Sequence, residues 1–201
     1  MCPNRTNRKN KVSRVTFGST FMSGAALLVS CVVSASPHIY HNEEFGITVP
    51  VPEHTLLCSF PPQHDHGPVL MLGGVSNQAC FDLDRNRAIV IYATYNASDD
   101  TKKLLDFLWW ECTSIAKHPC GPPPEGLRIK GRTAAAARVD GTDGWLDIFV
   151  VTQAGKPDPA FDASVPTINY DFSLRTTAGH LDEDLPIFRA VLATVRLSPP
   201  G

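Results

Sequence analysis

The sequence predicts an α+β fold in which helices pack on an antiparallel sheet, and three features carry that expectation. Arg87–Tyr95, reading R-A-I-V-I-Y-A-T-Y, is rich in β-branched and aromatic residues, as a strand requires. Leu104, Leu105, Leu108, Cys112, Ile115 and Ala116 recur at helical spacing. Leu127–Val139 and Trp145–Gln153 read as the two arms of a hairpin around Asp140-Gly141-Thr142-Asp143-Gly144, whose glycines suit the positive φ of a tight hairpin.

The remaining elements follow in order. Tyr40–Val51 alternates as a strand, with Phe45, Ile47 and Val49 on one face and Gly46 and Thr48 on the other, ended by Pro50 and Pro52. Val69–Leu72 is a short apolar strand stopped by Gly73-Gly74, and Cys80–Leu83 is a candidate for another. Ser98-Asp99-Asp100 supplies N-caps for a helix over Thr101–Ala116, and its aspartates suit the positive end of the helix dipole. Pro119–Gly126 is a breaker-rich loop, and Ala154–Pro166 a long polar connection.

Thr167–Arg175 alternates again, with Ile168, Tyr170, Phe172 and Leu174 on one side and polar residues opposite. A second helix is expected over Leu181–Leu192, with Asp182, Glu183 and Asp184 in its first turn and Pro186 tolerated because it lies early. Val195 and Leu197 return as an edge strand. Helices and strands in this order give helices on an antiparallel sheet, and residues 36–201 are expected to form a single α+β domain.

Residues 1–35 read as a secretory signal peptide. Five basic side chains (Arg5, Arg8, Lys9, Lys11, Arg14) and no acidic one precede an apolar run that is densest from Phe21 to Val33. That run is too short for a comfortable span, which needs about 20 apolar residues. Val33-Ser34-Ala35 fits ordinary cleavage before Ser36. Leu28-Val29-Ser30-Cys31 resembles a bacterial lipobox, which makes Cys31 a lipidation candidate. The whole chain of 201 residues carries a formal charge of −2; without residues 1–35, 13 basic and 20 acidic side chains leave −7. Such a charge favours solubility and basic partners and disfavours nucleic acid.

Beyond Cys2 and Cys31, four cysteines remain: Cys58, Cys80, Cys112 and Cys120. An even number in an exported chain reads as two disulfides with three possible connectivities. Proximity favours Cys58–Cys80 and Cys112–Cys120. Zinc is the rival use, but no C-x-x-C pair is present.

The opening Tyr40-His41-Asn42-Glu43-Glu44-Phe45-Gly46-Ile47-Thr48-Val49-Pro50 resembles the first hairpin of the Mog1/PsbP-like superfamily. Ile187–Leu197 is similar to the closing helix-to-strand passage of those domains. The resemblance implies an α/β/α sandwich with an antiparallel sheet, and a role as an accessory, lipoprotein or binding protein. Two departures stand out: Glu53-His54-Thr55 lies where a tryptophan is common, and the four cysteines are not a general feature of the superfamily.

The search for chemistry yields few candidates. His64-Asp65-His66 would place both imidazoles on one side of a strand, with His54 as a nearby addition, but Pro61-Pro62 and Gly67-Pro68 favour a solvated loop. No metal or cofactor is therefore expected. There is no G-x-S-x-G and no phosphate loop. The carboxylates Asp82/Asp84, Asp140/Asp143 and Asp182/Glu183/Asp184 read as turn or capping residues, and Asn96-Ala97-Ser98 as a chance sequon in a chain with a bacterial-type leader.

Trp109-Trp110 is different, because neighbours about 100° apart on a helix do not both enter one core; an exposed ring favours protein contact. Lys156, Asp158, Phe161 and Asp162 make the 154–166 connection a second candidate surface, with Lys156 and Phe161 as its anchors. The functional expectation is an exported non-catalytic binding protein, most concretely a periplasmic inhibitor or immunity protein against a secreted toxin or wall-degrading enzyme. An envelope accessory lipoprotein anchored through Cys31 is the alternative, and a secreted hydrolase comes third.

Overall fold

The computed structural model describes residues 38–58, 60, 64–95, 103–154 and 168–198, without the side chains of Gln78, Phe81 and Asp84. The expected leader, Cys31, the caps at 98–100 and the 155–166 part of the long connection, with Lys156 and Phe161, lie outside the described residues.

The chain opens with a hairpin where alternation predicts one strand. β1 (Ile39–Asn42) and β2 (Ile47–Pro50) pair antiparallel, with Tyr40 opposite Val49. The reversal falls at Glu43–Gly46: the Asn42 side chain accepts from the Phe45 amide at 2.9 Å, and Gly46 takes a φ of 62°. Alternation alone cannot show such a turn, since Phe45 stays inward on either side of it.

β3 (Leu56–Cys58), β4 (Val69–Met71) and β5 (Ala88–Tyr95) follow, the first too short to be marked by periodicity. Cys80–Leu83 is not a strand; 3-10 turns occupy Asn77–Phe81 and Leu83–Arg85. The Cys80 backbone is held there against β3 through the Cys58–Cys80 bond. α1 (Leu104–Trp110) runs into a π turn over Glu111–Ile115.

β6 (Ala134–Asp140) starts later than expected, with Leu127–Thr133 in irregular backbone, and β7 (Trp145–Ala154) returns from the hairpin. At that turn Asp143 and Gly144 take positive φ, 55° and 76°, while Gly141 does not. β8 (Ile168–Thr177), α2 (Leu181–Thr194) and β9 (Arg196–Leu197) complete the order.

Six strands form one antiparallel sheet, ordered β3-β4-β5-β8-β7-β6, and three form a second, ordered β1-β2-β9. One face of the large sheet (Leu70, Ile89, Ile91, Ile148, Val150, Phe172, Leu174) shares a core with Phe45, Ile47 and Val49 of the small sheet and Phe188, Val191 and Leu192 of α2. Tyr170 ties the sheets together by donating to the Phe45 carbonyl at 2.7 Å.

The opposite face has two covers. Phe107, Leu108 and Cys112 pack on Ala137, Val139, Phe149 and Val151, while the 3-10 segment covers Val69, Met71 and Ala88. β8 lies between β5 and β7 in the middle of the sheet, and its polar residues are buried: Asn169 is 1% and Asp171 6% exposed. Helix, sheet, and helix with small sheet therefore make three layers.

The outward face of helix α1 and the carboxyls beneath it

α1 has an inner and an outer surface. Leu104, Phe107, Leu108 and Cys112 turn to the sheet, and Glu111 joins them at 5% exposure. The spacing that placed Leu105 and Ile115 on the same buried stripe is corrected: Leu105 is 70% and Ile115 54% exposed. Leu105 stands one helical turn before Trp109, which is 63% exposed, so the two share a flank. Beyond Glu111 the backbone winds wider, the Ala116 amide bonding the Glu111 carbonyl at 2.9 Å, and this extra residue per turn carries Ile115 outward.

Trp110 stacks on Phe107 with centroids 6.5 Å apart, leaving its ring 37% exposed. Neither tryptophan therefore enters the core fully, and four large apolar side chains of a single helix face water.

Two disulfides brace the chain, Cys58–Cys80 and Cys112–Cys120, with Cα separations of 5.6 and 5.4 Å. The second ties the buried side of the π turn to the proline-rich loop that follows, fixing the end of the helix that displays Trp109 and Trp110.

Beneath α1 lie two carboxyls that sequence reasoning did not single out. Glu111 is buried on the inner side of the π turn, and Asp171 is buried on β8. Burial pushes the Glu111 carboxyl up to about 7. Asp171 is raised well above the usual range by burial, then by the charge of Glu111 and that of Asp147; a Ser173 hydrogen bond works the other way. Asp171 Oδ1 has no hydrogen-bond partner among the described residues. Beside them Arg175 Nη1 meets Asp147 at 3.3 Å and lies over the Trp145 ring. The available sequence signal was Glu111 at the i+3 position from Leu108, on the helix face that had to be buried.

The other candidates have local duties. His64 sits in a 3-10 turn and His66 in a bend, so no strand sets the two imidazoles on one side. Asp65 accepts from Tyr40 at 2.5 Å and its carbonyl from Asn42 at 2.6 Å. His66 bonds the Ala93 carbonyl at 3.0 Å and packs between Phe45 and Tyr92. No cluster of three ligating side chains able to hold a metal occurs among the described residues.

Asp82 pairs with Arg85, Asp140 with Arg138, and Asp184 with Arg87. An open cleft of about 370 Å³ lies on the other side of the large sheet, between the small sheet and the end of α2, lined by Ile39, Thr48, Lys130, Thr194 and Arg196 among others. Its hydroxyls are engaged locally, Thr48 with His41 and Thr194 with the Ala190 carbonyl.

These elements define a mixed α+β protein of antiparallel sheets and two helices. No protein-family model matches the sequence, and no curated protein matches it. Among solved structures, the solution structure of cyanobacterial PsbP (CyanoP) from Synechocystis sp. PCC 6803 is similar to this chain. The TM-score is 0.48 and the identity 13%, over 85% of this chain and 99% of that one. No described helix is long and apolar enough to cross a membrane.

Proposed function

We propose that this protein is an exported, non-catalytic binding protein that docks another protein through the outward face of α1. The carrying observation is the exposure of Leu105, Trp109, Trp110 and Ile115 on a helix anchored by a disulfide. Rigid aromatic anchors lose little entropy on contact, and tryptophan is enriched among the residues that dominate binding energy. Asp82, Asp140, Glu183 and Asp184, among the carboxylates noted in the sequence, are engaged in ion pairs, and Glu111 and Asp171 are buried rather than set in an open cleft, which supports binding over hydrolysis.

The most concrete form of this reading is an inhibitor or immunity protein acting on a secreted toxin or wall-degrading enzyme. The charge of −7 over residues 36–201, from 13 basic and 20 acidic side chains, favours encounter with a basic partner. The lipobox-like Leu28–Cys31 keeps a second reading, an envelope accessory lipoprotein, which acyl analysis of Cys31 separates from a mature start at Ser36.

The test is affinity capture from envelope and secreted fractions by the oxidised chain, alongside a Leu105→Ser, Trp109→Ser variant. A stoichiometric basic enzyme that is held by the parent, inhibited by it, and lost by the variant supports the reading. Equal capture by both overturns the assigned surface, and a captured enzyme left fully active overturns the inhibitory role.

A further inference from the structure

We infer that the cleft between the small sheet and the C-terminal end of α2 binds a small aliphatic carboxylate, whose acid group pairs with Lys130 and Arg196 while its carbon chain lies along Ile39, Pro50 and Val195. The cleft lies on the other side of the large sheet from α1, so the inference goes beyond the docking role and does not depend on it.

The fold places both cations. Arg196 belongs to β9, where it stands opposite Thr48 of β2. Lys130 follows the buried Ile129 in the irregular segment before β6. That segment turns tightly: the Arg132 amide bonds the Ile129 carbonyl at 3.2 Å, and Gly131 takes a φ of 72°. The Arg132 guanidinium then donates to the Leu197 carbonyl at 2.6 Å, which ties the turn carrying Lys130 to the strand carrying Arg196.

Neither the Lys130 nor the Arg196 side chain has an ion pair or hydrogen bond among the described residues, and no carboxylate lines the cleft. Over residues 36–201, where 13 basic and 20 acidic side chains leave −7, two unopposed cations at one concave surface select for an anion. The open carbonyls at the end of α2 act in the opposite sense. Their partial charge of about −0.5 is outweighed by two full positive charges.

The rest of the lining specifies the body of the ligand. Its hydroxyls are taken, Thr48 with His41 at 2.9 Å and Thr194 with the Ala190 carbonyl at 2.7 Å. The Val195 amide bonds the Val191 carbonyl at 2.9 Å, and Pro50 has no N–H to offer. No side-chain donor besides the two cations is left to read a peptide or a polyol, and no aromatic ring lines the cleft for a base to stack on. What remains is aliphatic, including Ile39 at 54% exposure. A ligand that is charged at one end and hydrocarbon elsewhere matches this surface, and about 370 Å³ suits a small one.

The test follows backbone amide resonances of the oxidised chain during titration with octanoate. Shifts are expected over 47–50, 129–131 and 193–197, with binding that tightens from butanoate to octanoate by about twofold per methylene in a cleft that covers the chain only in part. Lys130→Gln with Arg196→Gln, both at exposed positions, is expected to raise the octanoate dissociation constant by about tenfold and leave the thermal unfolding midpoint in place. Octanol, the neutral counterpart, is expected to bind about tenfold more weakly to the unaltered chain. Equal binding of octanol and octanoate overturns the role of the cations without recourse to any variant. Inorganic phosphate held as tightly as octanoate overturns the aliphatic part of the ligand. Shifts confined to α1, or no shifts with octanoate, overturn the site itself.

Discussion

The Arg87 guanidinium meets the Asp184 carboxylate at 2.9 Å, where the aspartate has no exposed surface and also accepts from Thr176 at 2.5 Å. The Asp184 side chain thus joins α2 to β8 and to the residue that leads into β5. Glu183 adds a more exposed contact to the same arginine at 3.3 Å. Arg87→Met strands a buried charge, so unfolding in urea is expected to show a loss of about 3–5 kcal/mol. Glu183→Gln, at an exposed position, is expected to cost less than about 1 kcal/mol.

Gly67 holds a φ of 139°, and a Cβ there would lie 2.2 Å from the Ile91 carbonyl oxygen. Gly74 also has positive φ, 66°, but open space around it. Gly67→Ala is expected to lower stability by more than about 3 kcal/mol, because backbone must move, and Gly74→Ala by about 1 kcal/mol. Paired thermal unfolding curves check the contrast.

Burial raises the Glu111 carboxyl from 4.5 to about 7, so the folded state holds its proton longer than the unfolded chain does. The stabilisation is fully present below about pH 4.5 and is lost as pH rises through about 7. The loss from this group is on the order of 3 kcal/mol. Urea midpoints of the parent and Glu111→Gln, compared across that window, are expected to converge at low pH and separate at high pH, with the variant more stable.

The strong periodicities were legible in the sequence. Ala88–Tyr95, Trp145–Ala154 and Ile168–Thr177 stand where β-branched and aromatic runs placed them. What was hidden depended on neighbours distant in sequence. Asp171 alternates as a solvent-facing residue should, yet it is buried on β8, which lies between β5 and β7. Leu105 and Ile115 fit an apolar stripe by spacing, yet the sheet accepts one narrow face of the helix and the π turn moves Ile115 off it. The Asn42–Phe45 contact that turns the first hairpin leaves no trace in hydrophobic alternation.

Reduction should weaken the two braces unequally. In the loop-entropy picture, separations of 22 and 8 residues correspond to about 3 and about 2.5 kcal/mol. Cys112→Ser with Cys120→Ser is expected to raise proteolytic cleavage within 104–116 specifically, whereas Cys58→Ser with Cys80→Ser is expected to expose 56–86. Mapping of limited-proteolysis fragments distinguishes the two.

Docking through α1 is tested most directly by hydrogen–deuterium exchange of the captured complex against the free chain. Protection is expected across Leu104–Ile115, centred on Leu105 and Trp109. Protection that leaves this helix unchanged and falls instead on the small sheet, around Ile39 and Arg196, would contradict the assignment of the partner to this face.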